Sequence, residues 1–206
     1  MLKTRKKTTQ SRGRERRKAL LEATKKLLQE TSMDQLSLGD VAKEADIPKG
    51  SAYYFYDNIE DIYHSLVDEF SASFVDIISQ RMAREPASWM DIIDVAFMEA
   101  VEYYRSNPAA CQLIIGPKTS PEIKRQDREN DLSLGWALKT QIEQFFILPE
   151  NDDYEGIFHR TIEIADLMFC LSMSEHNQIT EKMAQEAIKA SQAYLKIYLS
   201  EELPRR

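Results

Sequence analysis

Apolar residues recur along this chain at three- and four-residue steps and show no sustained alternation with polar ones, so the pattern predicts helices throughout. Leu20, Ala23, Thr24, Leu27 and Leu28 form one face of a helix over 13–31. From Asn58 onward Ile59, Ile62, Tyr63, Leu66, Val67, Phe70, Phe74, Ile77 and Ile78 keep the spacing through about seven turns, a lever-like helix that ends before Pro86. Trp89, Ile93, Ala96, Phe97, Ala100 and Tyr104 define a helix over 88–106, closed by Asn107 and Pro108. A short helix over 109–115 precedes the breakers Gly116-Pro117 and Ser120-Pro121, and a long one over 121–146 is charged in its first half and apolar in its second. Two more cover 154–176 and 180–202. On the first of these, Ile157, Ile162, Ile164, Met168, Phe169 and Leu171 wrap too far round the axis for a helix with one wet side. The fold class is all-α.

A denser set of local signals marks 37–56. Ser37, followed three residues later by Asp40 and then Val41 and Ala42, is a variant capping box, so a helix starts near Leu38. It runs to about Ala45, because Asp46 tolerates the left-handed conformation of a sharp turn and Pro48 suits the opening of a new helix. The second helix covers 49–56. Two helices this short, joined this tightly, match a helix-turn-helix, whose second helix enters the DNA major groove. Lys49, Gly50 and Ser51 offer a cation, a point of close approach and a hydroxyl, and Tyr53, Tyr54 and Tyr56 offer phenols for phosphate or base. Ala52 and Phe55 are expected to face back toward Val41 and Ala42.

The stretch VAKEADIPKGSAYYFYDNIEDIY, within a match covering roughly 16–66, resembles the DNA-binding signature of the tetracycline-repressor (TetR) family of bacterial regulators. The resemblance carries over onto Ser37 and Leu38 at the start of the first helix, Lys49, Gly50, Ser51, Tyr53 and Tyr54 on the recognition helix, and Asn58, Glu60 and Asp61 opening the next; it implies DNA contact for all of these but Glu60 and Asp61. It departs at Ser32 and Asp46, where the family usually has glycine, and at Ile59, where it has a phosphate-contacting lysine. What it implies is a three-helix head joined by a long helix to a larger C-terminal ligand-binding and dimerisation domain. The division expected is a basic arm without structure at 1–11, the head at 12–56 and the helical domain at 57–206. The implied partners are a double-stranded operator with an inverted repeat, a small and largely apolar effector, and a second copy of the chain. Excess apolar surface on the last two helices places the homodimer contact there.

Charge is divided in the same sense. Residues 1–56 carry 13 lysines and arginines against 7 acidic residues, and the remainder 14 against 27. A protein of net charge −7 repels DNA as a whole, so binding is confined to the basic end and falls steeply with salt. Lys3, Arg5, Lys6, Lys7, Arg12 and Arg14 suit the phosphate backbone or an adjacent minor groove. Cys111 and Cys170 are too few for a disulfide framework or zinc site and read as buried thiols in a reducing compartment. No apolar run has the length to span a membrane and the basic N-terminus has no apolar segment behind it, so a cytoplasmic protein is expected.

Catalytic signatures are absent: no phosphate-cradling glycine loop, no exposed-serine elbow and no carboxylate pair. His159, Glu163 and Asp166 share a face at i, i+4 and i+7, but without a fourth ligand they read as a hydrated stripe, so neither a metal nor a cofactor is expected. A ligand cavity, implied by the resemblance, would draw on Trp89, Phe97, Tyr104, Cys111, Met168 and Phe169, with Met98, Tyr103 and Trp136 further candidates. The leading function is a ligand-responsive, sequence-specific DNA-binding regulator, most simply a repressor and not an enzyme. The alternative is a helical ligand-carrier or interaction protein whose helix-turn-helix survives as scaffold; sequence-selective DNA retention separates the two.

Overall fold

The computed structural model describes residues 3–80 and 82–206, with side chains from Arg12 onward. Its helices are α1 (Lys3–Leu27), α2 (Leu38–Glu44), α3 (Lys49–Phe55), α4 (Ile59–Ser79), α5 (Trp89–Ser106), α6 (Pro108–Ala110), α7 (Pro121–Glu143), α8 (Tyr154–His176) and α9 (Glu181–Leu195). Two compact units divide the chain, Met1–Leu66 and Val67–Arg206, and α4 runs from one into the other.

In the first unit Leu20, Leu28, Leu38, Val41, Ala52, Ile62 and Leu66 are fully or almost fully buried. The Tyr63 hydroxyl donates to the Met33 carbonyl at 2.7 Å, fastening the start of α4 to the 3₁₀ turn Met33–Gln35. The arm expected to lack structure is instead helical from Lys3, ten residues before the expected start of α1. Lysine, arginine and glutamine are good helix formers, and a single glycine, Gly13, costs only about 1 kcal/mol in a helix already under way. The side chains of Lys3, Arg5, Lys6 and Lys7 lie outside the described residues, so their expected phosphate contacts do too.

The second unit is built on Phe70, Trp89, Ile93, Leu113, Ile123, Leu138, Phe158 and Leu195. Its helix starts are capped by short polar side chains: on α5 Asp91 Oδ2 accepts from the Ser88 amide at 3.1 Å, on α7 Ser120 accepts from the Ile123 amide, and on α9 Thr180 accepts from the Met183 amide. α7 and α8 run antiparallel, since Lys124 meets Asp166 at one end while Gly135 meets the His159 backbone further along. Residues 109–115, expected as one short helix, divide into a helical turn at Pro108–Ala110 and a π-helical turn at Cys111–Ile115. α7 stops at Glu143 and α9 at Leu195, three and seven residues short of the expected ends. Beyond α7 the chain pairs with the tail in extended form: the Ile147 amide donates to the Pro204 carbonyl at 2.7 Å and the Arg206 amide to the Phe145 carbonyl at 3.0 Å. Arg205 lies over the Phe146 ring and donates to the Glu85 carboxylate and the Pro86 carbonyl.

Candidate nucleic-acid interface and ligand cavity

The capping box at α2 is complete. The Asp40 amide donates to Ser37 Oγ at 3.2 Å, and Asp40 Oδ2 accepts from the Ser37 amide at 3.1 Å. Ser37 Oγ also donates to Asp40 Oδ2 at 2.5 Å, and this bond first, then that from the Ser37 amide, holds the Asp40 carboxyl below its ordinary range. Asp46 takes the left-handed conformation, φ 51°, and the Ile47 amide donates to the Ala42 carbonyl at 2.9 Å, so the turn closes without glycine. Ser32, the other departure, stands at φ −68° and ψ 141°, ordinary extended backbone that needs no glycine. The turn delivers Pro48 to the start of α3, as the sequence requires.

On α3, Tyr54 is 84% exposed and Tyr53 46%, whereas Ala52 is fully buried. Lys49 Nζ lies 5.9 Å from the Tyr53 ring centre and close beside Gly39 at the start of α2. A β-carbon on Gly50 would meet no atom within 4 Å, so nothing within the chain demands glycine there. Arg16 of α1 donates to Ser51 Oγ at 3.3 Å. That pairing joins α1 to the recognition helix and was not legible from sequence, because the two residues stand 35 positions apart.

Three expectations change. Tyr56 is buried, with the Arg17 guanidinium over its ring, so its phenol is turned away from the face of Tyr53 and Tyr54. Phe55 is half-buried near Gly13 of α1 and edge-on to Tyr54. Leu38 is only 3% exposed, so its side chain belongs to the core and only its backbone faces outward at the helix start. Asn58 caps α4, its Oδ1 accepting from the Asp61 amide at 2.9 Å, and Ile59 beside it is half-buried.

In the second unit a narrow cavity of about 50 Å³ opens between α4, α5, α7 and α8. Phe97, Tyr104 and Phe169, three of the six residues expected there, line it together with Ser71, Phe74, Ile78, Ala96, Ala100, Leu134, Ile162 and Ala165. The other three do not. Trp89 is wholly buried and its indole N–H donates to the Ser200 carbonyl at 2.9 Å, holding the segment after α9. Cys111 Sγ lies 3.4 Å from Met173 Sδ, and Met168 is half-buried away from the lining.

One wall of this apolar cavity is acidic: Asp127, Asp131 and Asp166 all face it. Lys124 Nζ donates to Asp166 Oδ2 at 2.5 Å, Asp127 Oδ2 at 2.9 Å and the Ile114 carbonyl at 3.3 Å. Burial works against the charge on Lys124, but Asp166 and Asp127 outweigh it and keep the amine protonated. Burial lifts Asp127 to about 6 despite Lys124, and lifts Asp131 well above the carboxylate range, with Asp127, Asp166 and Glu163 pushing the same way. A signal for this wall did exist. Ile123, Asp127, Asp131, Leu134 and Leu138 follow the helical core spacing, so two carboxylates stand at consecutive positions where apolar residues belong.

The stripe on α8 divides between two partners. Glu163 pairs with Arg128 at 3.2 Å and lies 3.5 Å from His159, while Asp166 turns to Lys124. Among the described residues no group of three histidines, cysteines or carboxylates is arranged to hold a metal ion, and no helix is long and apolar enough to cross a membrane.

A helix-turn-helix unit followed by a helical unit with an internal cavity is the architecture of a regulator that couples DNA to a small molecule. The chain matches the model of bacterial regulatory proteins of the tetR family over residues 20–66 and that of the tetracyclin repressor-like C-terminal domain over 87–199. It belongs to the TetR family. The biofilm operon icaADBC HTH-type negative transcriptional regulator IcaR of Staphylococcus epidermidis is 38% identical over 52 residues, 25% of this chain and 28% of that regulator's length. Among solved structures, a TetR-family transcriptional regulator from Streptomyces coelicolor superimposes with a TM-score of 0.70 at 23% identity, covering 89% of this chain and 99% of that one. The TetR-family repressor FadR of Thermus thermophilus, in complex with lauroyl-CoA, gives 0.64 at 17% identity, covering 91% and 97%. At these identities the two structures share the fold.

Proposed function

We propose that the protein is a homodimeric transcriptional repressor that reads an inverted-repeat operator with Lys49–Tyr54 of each subunit and releases it when a small, largely apolar effector enters the cavity of the second unit. One observation carries this reading: on a properly capped and turned helix-turn-helix, Tyr54 stands almost wholly in solvent beside a glycine that the fold itself does not need. A large exposed aromatic and an open backbone serve something outside the chain. Lys49, Gly50, Ser51, Tyr53 and Tyr54 are assigned to the groove. Ser37, the backbone of Leu38, and Asn58 are assigned to phosphate, at helix starts where the first N–H groups lack intrahelical acceptors. Arg16 is added as the residue that steadies Ser51.

Support for an effector comes from continuity of structure. Ile62 and Leu66 of α4 lie in the core of the first unit, and Ser71, Phe74 and Ile78 of the same helix line the cavity. Because the empty cavity is far smaller than a drug-sized ligand needs, its occupant must move helices to enter. A ligand shifts DNA binding only through its differential affinity for two states, so operator and effector weaken each other by the same factor. The place of action is the cytoplasm, where the operator lies. Cavity and FadR likeness together favour an effector with a sizeable apolar portion.

The test is operator binding at physiological salt. Footprinting is expected to reveal two half-sites with centres roughly 34–36 Å apart, or a multiple of that. Tyr54→Ala is expected to weaken specific binding by about 1–3 kcal/mol, while Arg12→Ala and Arg14→Ala lower the salt dependence for every sequence alike. Retention of DNA without sequence preference favours the carrier reading instead.

A further inference from the structure

We propose that the cavity of the second unit is built for an organic cation: an amphipathic ligand whose protonated amine sits against Asp131 while its apolar body lies among Phe74, Phe97, Ile162 and Phe169. This rests on the reading of the protein as ligand-responsive and specifies the chemistry of the effector. The argument begins with an unbalanced set of charges. Asp127, Asp131 and Asp166 face the cavity, and the amine that serves them is Lys124. Its three hydrogens are committed to Asp166, Asp127 and the Ile114 carbonyl, and an ammonium has no fourth to give.

Asp131 is left over. Its residue is only 5% exposed, it lines the cavity, and its Oδ2 is buried without a hydrogen-bond partner. A buried polar atom with no partner costs about 1–3 kcal/mol, and a carboxylate more, so it marks a place where a donor is missing. The facing groups do not supply one. On α7, Arg128 pairs with Glu163; on α8, Asp166 and Glu163 are themselves acidic and the Cys170 thiol leans on Asp166; on α5, Tyr104 is neutral; and α4 contributes Ser71, Phe74 and Ile78. His159 is turned to the Arg128 carbonyl and Glu163.

Within the protein alone the proton stays on Asp131, because burial and the neighbouring carboxylates favour the neutral acid. An incoming ammonium reverses that preference. The ligand arrives charged, Asp131 loses its proton to solvent, and the ion pair that forms is enclosed by aromatic and aliphatic side chains. An anionic amphiphile of the same size meets two further carboxylates with a single shared amine, and is rejected.

Three ligands with one skeleton and different heads test this: phenylbutylamine, phenylbutanol and phenylbutyrate, titrated calorimetrically into the full-length protein. The amine is expected to bind roughly tenfold to a hundredfold more tightly than the alcohol, the acid most weakly, and Asp131→Asn to abolish the preference for amine over alcohol. An independent measurement uses the wild type alone. In buffers of different ionisation enthalpy the amine should release about one proton per molecule bound and the alcohol none, and the amine's affinity should rise with pH while the alcohol's stays level. Equal affinity for amine and alcohol, or preference for the acid, overturns the cation assignment but leaves a ligand-responsive protein. If none of the three binds and none alters operator affinity, the cation site and the ligand-responsive reading fall together.

Discussion

Gly135 of α7 lies so close to His159 of α8 that a β-carbon on the glycine would stand 2.7 Å from the His159 nitrogen and 2.8 Å from the Phe158 carbonyl carbon. Both obstacles are backbone, so no side chain can swing aside. On helix propensity alone, Gly135→Ala would stabilise by about 1 kcal/mol. Here the expected sign is opposite: α7 and α8 must separate, at about 1–3 kcal/mol, and thermal melts of the variant should fall accordingly. A higher melting temperature would mean that the two helices sit further apart.

Ile59 stands where the family has a phosphate-contacting lysine, and it is half-buried at the first turn of α4. A lysine stem can lie along the same apolar surface and put its amine in water. Ile59→Lys is therefore expected to steepen the slope of log K against log salt by about 0.9 per subunit, roughly 1.8 for a dimer, with little change in melting and equally for all operators. Unchanged slopes with a depressed melting temperature would mean that this position faces the core and not the DNA.

The helix-turn-helix was legible because its signals are local. Ser37 with Asp40, Asp46 and Pro48 each dictate the conformation of their immediate neighbours, and every one does so here. The cavity was legible by half, for the opposite reason. Whether an aromatic lines a space or fills one depends on partners far along the chain: Trp89 answers to Ser200, 111 residues away, while Phe169 meets Tyr104 edge-on at the cavity wall. The acidic wall was readable as a breach of the core spacing by Asp127 and Asp131, but which of the two Lys124 would satisfy is a matter of three-dimensional reach. The pairing of the tail with 145–147 has no local signature at all.

The homodimer contact proposed for the last helices can be tested at a narrower address. Leu167 is 56% exposed and Leu171, one turn further along α8, is 40% exposed, while Tyr194 of α9 is occupied in accepting from Arg160 at 2.6 Å. Leucines in this register on one helix make a self-complementary stripe. Leu167→Glu with Leu171→Glu is expected to convert a dimer, by light scattering at micromolar concentration, into a folded monomer with weakened operator binding. A wild type that scatters as a monomer, or a double variant that stays dimeric, removes this interface.

Stability should depend on pH through the carboxylates of α7. Asp127 is raised to about 6 and Asp131 is raised further above the ordinary value near 4. A group raised in this way binds its proton more tightly in the folded than in the unfolded chain. Stability therefore falls as pH climbs above about 4, by roughly 1.4 kcal/mol per unit for each such group, and for Asp127 the fall ends at about 6. Asp131→Asn has no proton to lose, so its melting curve should decline less with pH and lie above that of the wild type near neutrality. Parallel curves would show that Asp131 is not raised.

On the proposed reading, the smallness of the cavity gives the switch a clock. An occupant too large for the resting space must wait for α4, α5, α7 and α8 to part, so its arrival is governed by how often the bundle breathes and not only by how often molecules collide with it. Added effector then quickens the response only up to the breathing rate, and more of it changes nothing. Departure waits on the same motion, so once admitted the molecule is held, and a brief exposure leaves a mark that outlasts the dose.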